Sequence, residues 1–553
     1  MPRLESIEIE NFRSIGSEPI CIKFPKNKPL IIIGENNAGK SNIARAIELI
    51  FGEYHPKYKN LDNFDHFQRN QLNKINITAE VSGFHTRLGK IGEYTCGGFH
   101  YNCVKNKESE FSVIQKENGV LNKYVSNTIR EELICITVNS EQNLAYQLSY
   151  ASKFTLLSKV TKSFHEKLTS DNDRVERLKQ VFETIKETFL EVDEFKLFSS
   201  NMSRIAGEMI TNMSHALNFD FSAYDPSNYF KTLRVQPSED GEIRAFDEMG
   251  TGQQQILALT FAHAYAKSFL GQGIIFILDE PEAHLHPLAQ KWLAKQMFKM
   301  AEDGLQLIIT THSPYFINLE YLDGIYVVSK TDQTRVNNTS AYDLAEFCKE
   351  TGAIRADDKT ILSFYNAHSK PSILTGFFAK KIILVEGETE EMSLPIYFEA
   401  LGLDTLKEGI AIISVDGKGN LAKWWRLYKI LNIPTYICFD NDHKKDSNGN
   451  KRKDALKAIG IDSDDIESLL TSNDWNINQS FCVFGTDFEV TMTNSFLKYK
   501  DLHTEYLDKL GSSKSILARA VAKELCSNHL ESGDDGWIKI KEFRDRIVEL
   551  KVI

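Results

Sequence analysis

The sequence predicts an α/β protein made of two successive α/β units, the first interrupted by a helical insert and the second followed by a helical tail. Three observations carry this. Short apolar runs such as GIIFILDE at 273, LQLIITTHS at 305 and KKIILVEGE at 380 are separated by helical stretches, as in sheets covered on both faces. A glycine-rich GENNAGKS at 34–41 sits between an apolar run and a helical pattern. The apolar runs of the second half end repeatedly in acidic residues.

Taken in order, Ile7 and Ile9 alternate with Glu8 and Glu10, as on a half-buried strand. The run Leu30–Ile33 leads into the glycine-rich turn and a helix over 41–51, and Ile75, Ile77, Ala79 and Val81 alternate again. From 152 to 217 the pattern is helical, without Pro and with few Gly. Residues 331–370 are more polar and hold no clear strand. New strands follow in KKIILVEGE, IAIISVDG, IPTYICFDND and SFCVFG. The expected boundaries are therefore a first domain over 1–151 and 218–335, its helical insert over 152–217, a connector over 336–376, a second domain over 377–500 and a helical C-terminal region over 501–553.

With 42% hydrophobic and 25% charged residues among 553, the composition is that of a folded globular protein. No segment has the apolar length needed to cross a bilayer, and MPRLESIEIENFRS does not read as a signal peptide, so the expected location is the cytoplasm. Eight scattered cysteines read as reduced thiols; Cys96 and Cys103 flank His100 too widely for a zinc knuckle. A net charge of −11 excludes a broadly basic nucleic-acid surface, so any DNA site is local or assisted by metal cations.

Gly34-Glu35-Asn36-Asn37-Ala38-Gly39-Lys40-Ser41 fits the P-loop pattern. Its glycines let backbone N–H groups converge on phosphate oxygens at a helix N-terminus, Lys40 reaches the β and γ phosphates, and Ser41 binds Mg²⁺. A second strand delivers Asp279 and Glu280, the first for the Mg²⁺ shell and the second to polarise water. A third ends in Thr310-Thr311-His312-Ser313, with His312 as a γ-phosphate contact. The order P-loop, DEPE, THS, with NFRS at 11–14, resembles the ABC-type ATPase heads of the SMC, Rad50 and RecF group. That resemblance implies nucleotide contacts at Arg13, Asn36, Asn37, Gly39, Lys40, Ser41, Asp279, Glu280 and His312, and Gln142 as the Q-loop residue. It also implies a signature loop at Met249-Gly250-Thr251-Gly252-Gln253-Gln254, where Thr251 stands for the usual serine and Gly252 approaches ATP across a dimer interface. The insert is too short for a tethering coiled coil and reads as a compact dimerisation hairpin.

In the second half, Glu386 follows an apolar strand and Glu390 is one helical turn on, while Asp440 and Asp442 end another strand two residues apart. Converging carboxylates need a cation, and an all-oxygen set selects Mg²⁺ or Mn²⁺. The series LVEGETE, SVDGKG, FDND is similar to TOPRIM domains, and its fusion to an ABC-type head resembles the OLD (overcoming lysogenization defect) nuclease family, with its gabija- and retron-associated members. The resemblance implies metal ligands at Glu386, Glu390, Asp440, Asp442 and, from Asp487-Phe488-Glu489, Glu489. It implies a transition-state lysine at Lys514, with Lys523 as the alternative, and catalysis through Glu386, Asp440, Asp442 and Lys514. The expected activity is ATP-binding DNA endonuclease in anti-phage defence, with DNA, a second copy of the chain and a genomic-neighbour protein or retron nucleic acid as partners. The competing reading is a RecF-like ATPase in repair or sensing whose second domain only binds.

Two basic stretches remain open. Lys418, Lys423, Trp424, Trp425, Arg426 and Lys429 follow one strand, and Lys444, Lys445, Lys451, Arg452 and Lys453 follow another. They read either as phosphate contacts or as a solvated loop beside a helix whose Trp residues face the core. The two chemistries fall on separate α/β units, so their residues are expected to act independently.

Overall fold

The computed structural model describes residues 1–52, 54–89, 92–104, 109–139, 170–209, 273–442 and 446–551, with a few short pieces between 157 and 264. It divides into two compact units, 1–138 with 273–553, and 139–272. The second unit contains two helices, Asn172–Leu190 and Asp193–Met209, in contact with each other within the expected insert.

The first unit holds three main sheets. The amino-terminal one is antiparallel and seven-stranded, with Arg3–Glu10 between Ile20–Lys23 and Ile75–Ser82. The second is six-stranded, in the order Thr334–Asn337, Ile325–Lys330, Leu30–Gly34, Gln306–Thr310, Gly273–Asp279, Leu133–Asn139. Its four central strands are parallel. Ile277, Ile308 and Ile32, with Ile43 and Ile47 of the helix Lys40–Phe51, join Ile7, Ile77 and Phe99 of the first sheet in one core. That helix begins at Lys40 because the turn before it reverses the chain through Gly39 at φ 111. Gly34, at φ 142, lies where a side chain would enter the backbone of Val328.

The third sheet runs Ile410–Ser414, Lys381–Val385, Thr435–Asp440, Phe481–Phe484, Asn476–Ile477, parallel except for the last pair. Its central strands are buried on both faces because alternate residues serve different cores. Ile382 and Leu384 point into the core of Trp424, Tyr428 and Ile437, whereas Ile383 and Val385 face Tyr397, Leu525 and Phe543. The C-terminal helices Lys514–Asn528 and Asp535–Glu549 thus share a core with this sheet.

The polar stretch 331–370 was expected to lack a strand, and here the structure corrects the sequence reading. Thr334–Asn337 pairs antiparallel with Ile325–Lys330, and helices Ala341–Glu350 and Ile361–His368 follow. The strand is four residues long at a sheet edge, too short to show alternation. The segment is a packed joint: Ile31 and Ile33 of the P-loop strand share one buried cluster with Leu344, Tyr365, Phe377 and Leu384. No helix among the described residues is long and apolar enough to cross a membrane.

Candidate active sites

Both candidate sites lie at the carboxyl edge of a parallel sheet, where strand ends deliver side chains to a common crevice. At the first, the Lys40 ammonium donates to the carbonyls of Gly34 and Glu35 at 3.1 and 2.8 Å. Burial lowers its pKa to about 8, against the opposing pull of Glu280, Asp279 and Glu282. The Ser41 hydroxyl donates to Asp279 at 3.1 Å, and Thr310 bonds the same carboxylate oxygen. Glu280 adopts φ 53, a left-handed conformation that costs a non-glycine residue energy, with its N–H on the Thr310 carbonyl at 2.9 Å. That places Glu280 3.5 Å from His312 Nε2. Burial and the nearby Lys40 push the His312 pKa down to about 4, so its ring is neutral at pH 7. Asn36 and Asn37 are exposed on the loop.

The NFRS segment holds up this loop from below. Ser14 Oγ lies 2.7 Å from Thr334 Oγ1 and accepts from Asn42, while Thr334 donates to the Ala38 carbonyl at 2.8 Å. Arg13, expected at the nucleotide, pairs with Asp65 at 2.6 Å. Gln142, Thr251 and Gly252 lie outside the described residues.

At the second site the three strands ending at Val385, Ser414 and Asp440 run parallel in register, so Glu386, the Asp416–Lys418 turn and Asp440 emerge side by side. Glu390 enters from the first turn of helix Glu388–Ala400 and is 3% exposed; Asp440 is 8% exposed. Burial, then the charges of Glu386 and Glu489, raise the Glu390 pKa to about 7. Burial together with Glu390 and Glu386 holds the Asp440 carboxyl well above the usual range. Glu386 Oε2 and Asp440 Oδ1 are buried without a hydrogen bond. Asp487 caps helix Phe488–Ser495 through the Val490 N–H at 2.7 Å, which orients Glu489 inward, and Lys514 Nζ lies 3.4 Å from Glu489. Lys523 is exposed. Between Asp440 and Asp442, Asn441 is fully buried and its amide donates to the carbonyls of Leu469, Leu470 and Ser472. This pins the strand end between the two aspartates.

A buried oxygen without a hydrogen bond on each of Glu386 and Asp440, and the raised pKa values of Glu390 and Asp440, fit a divalent cation: Glu386, Glu390, Asp440, Asp442 and Glu489 are the residues that would hold it. As they stand, no three His, Cys, Asp or Glu side chains among the described residues are arranged as a metal site. Sequence reasoning missed one residue of this site. Lys418, placed in a basic stretch, is 4% exposed, with its ammonium 3.4 Å from Glu386 Oε2 and 3.4 Å from the Asp442 carbonyl. The signal was the glycine–lysine pair directly after a strand that ends beside Glu386.

Most of the two basic stretches is structural. Trp424 and Trp425 are core residues, Arg426 is buried against Asp454 and Thr351, and Arg452 is buried against Asp446 and Asn441. Lys423 covers the Phe364 ring at 3.9 Å, and Lys453 pairs with Glu467. Lys451 is exposed, and Lys444 and Lys445 lie outside the described residues.

Comparison with known proteins agrees with this division. The model of the AAA ATPase domain matches residues 3–86 and 99–317, more than half of the chain. The TOPRIM domain of overcoming lysogenization defect protein-like proteins matches 377–442. The OLD nuclease of Thermus scotoductus is 25% identical over 466 residues, covering 79% of this chain and 82% of that protein. The Old nuclease of Escherichia phage P2 is 24% identical, covering 89% and 85%, and the endonuclease GajA of Bacillus cereus strain HuB5-5 is 22% identical, covering 98% and 92%. This chain therefore belongs to the family that joins an AAA ATPase domain to an OLD-like TOPRIM domain.

Proposed function

We propose that the chain is an ATP-binding, metal-dependent DNA endonuclease of the OLD family, acting in the cytoplasm as an anti-phage effector and working as a homodimer or larger assembly. One observation carries the nuclease reading: Glu386, Glu390, Asp440 and Glu489 are gathered at one sheet edge, where Glu386 and Asp440 each keep a buried oxygen that accepts no hydrogen bond. Relatives that cover most of the chain and are named nuclease or endonuclease support it.

A bound Mg²⁺ or Mn²⁺ pair would supply Lewis acidity to the scissile phosphate and lower the pKa of the attacking water. The protein's own part is to hold the acidic groups in place. Asn441 fixes the strand end, Asp487 aims Glu489, and Lys514 brings a positive charge to the rim, where it would face a phosphate oxygen. In the ATPase head, Ser41 and Asp279 would share the Mg²⁺ of the nucleotide, and Glu280, beside neutral His312, would orient water. Defence, the assembly and a neighbour protein or retron nucleic acid rest on the family resemblance.

Plasmid DNA incubated with the parent protein in Mg²⁺ or Mn²⁺ should be nicked or linearised, and chelation should stop it. Glu386→Ala should cut at no more than about a hundredth of the parent rate. Equal cutting by parent and variant would remove the nuclease reading and leave the RecF-like ATPase in its place.

A further inference from the structure

Lys418 sits where a lysine is unfavourable on three counts. It is the first residue of helix Lys418–Ile430, where the helix dipole repels a cation. Its side chain is only 3% exposed, so its ammonium has lost most of its hydration. Its long side chain is also fixed in one direction, at a cost in conformational entropy. The backbone enforces this placement: Gly417 at φ 114 makes a turn that L side chains resist, and its N–H donates to the Glu386 carbonyl at 2.8 Å. The turn therefore ties the lysine to the strand end that carries Glu386. Its Nζ reaches Glu386 Oε2 at 3.4 Å and the Asp442 carbonyl at 3.4 Å.

We propose that Lys418 is the built-in counter-ion of the carboxylate cluster: its ammonium pairs with Glu386 before a divalent cation enters, and it competes with that cation for this carboxylate. The proposal rests on the metal-centre reading above and deepens it. Lys418 is a positioning residue, since it acts through Glu386. A buried carboxylate cluster with no cation would push its members apart, and one lysine tethered by a glycine turn keeps them gathered. Metal entry then exchanges one cation for another instead of assembling the site from repelling charges.

The test uses full-length, nucleotide-free protein with Mn²⁺ as the probe. Binding is followed by the loss of the free Mn²⁺ electron paramagnetic resonance signal, and stability by thermal unfolding in chelator. Lys418→Met should unfold at a lower temperature than the parent in chelator, yet bind Mn²⁺ about tenfold more tightly or better, because a like charge a few ångströms away is gone. A folded Lys418→Met with unchanged or weaker Mn²⁺ affinity overturns the proposal. If that single variant does not fold, the double variant with Glu386→Gln decides. Unfolding in chelator at or above the temperature of Glu386→Gln alone supports the proposal, and unfolding clearly below it overturns it. Asp440→Asn separates the two readings. If it binds Mn²⁺ as well as the parent, the metal-centre reading fails and this proposal with it; if only the Lys418 outcomes fail, the metal centre stands.

Discussion

The two sites occupy the same place on two parallel sheets, yet they differ in how much of their charge the protein itself satisfies. In the nucleotide site the protein satisfies most of its own charges: Lys40 rests on two carbonyls, one oxygen of Asp279 accepts from Ser41 and Thr310, and one oxygen of Glu282 accepts from the His312 N–H at 2.6 Å, leaving the other Glu282 oxygen buried without a hydrogen bond. In the TOPRIM site Glu386 and Asp440 each keep a buried oxygen without a hydrogen bond, Glu390 is raised to about 7, and one buried lysine stands against the group. The first is preorganised by hydrogen bonds for a ligand that brings its own phosphates. The second is held under repulsion that a cation relieves. The difference says which substitutions should act on binding and which on stability.

The largest expected effect on ligand binding is at Lys40. Lys40→Ala removes the phosphate-binding ammonium, so nucleotide affinity should fall by at least about a hundredfold with little change in melting temperature. Isothermal titration with an ATP analogue checks this, and unchanged affinity would remove the P-loop assignment. Arg452→Met falls in the other class. The guanidinium is 1% exposed and bonds Asp446 Oδ2 at 3.2 Å and Asn441 Oδ1 at 2.6 Å, so its loss leaves a buried carboxylate unpaired. Denaturant unfolding should show a loss of about 3–5 kcal/mol, and a cost below about 1 kcal/mol would return Arg452 to the DNA-contact reading. Gly39→Ala adds a methyl group at φ 111 against Thr334 and Ser14 and should cost about 1–3 kcal/mol. The smallest effect is at Ser14→Ala, which removes the hydrogen bonds of Ser14 with Thr334 and Asn42 beneath the P-loop. It should cost about 1 kcal/mol, and ATP affinity should drop only a few-fold, measured by the same titration.

What the sequence made legible follows from periodicity and spacing. The P-loop strand, the strand ending in Asp279 and the strands leading to Glu386, Asp440 and Phe484 all carry continuous apolar runs, because both faces of each strand are buried. The edge strand Thr334–Asn337 was not legible, since four residues with one face in solvent leave no period to read. The basic stretches misled for a different reason. Composition shows that Arg426 and Arg452 are charged but not that each meets a carboxylate, Asp454 and Asp446, supplied from elsewhere on the chain. Nor could the joint be read as packed, because Leu344 and Tyr365 are scattered among polar residues and join the core cluster that also holds Ile31 and Ile33 of the P-loop strand.

The central claim is that DNA cleavage belongs to the carboxylate cluster and nucleotide chemistry to the P-loop head. It is tested most directly by measuring plasmid cleavage and ATP hydrolysis on the same preparations of the parent, Asp440→Asn and Glu280→Gln, in Mg²⁺ and in Mn²⁺. Asp440→Asn should lose cleavage by at least about a hundredfold and keep ATP turnover. Glu280→Gln should lose turnover while its isolated metal site still cuts. If Asp440→Asn cleaves DNA as fast as the parent, the account is contradicted.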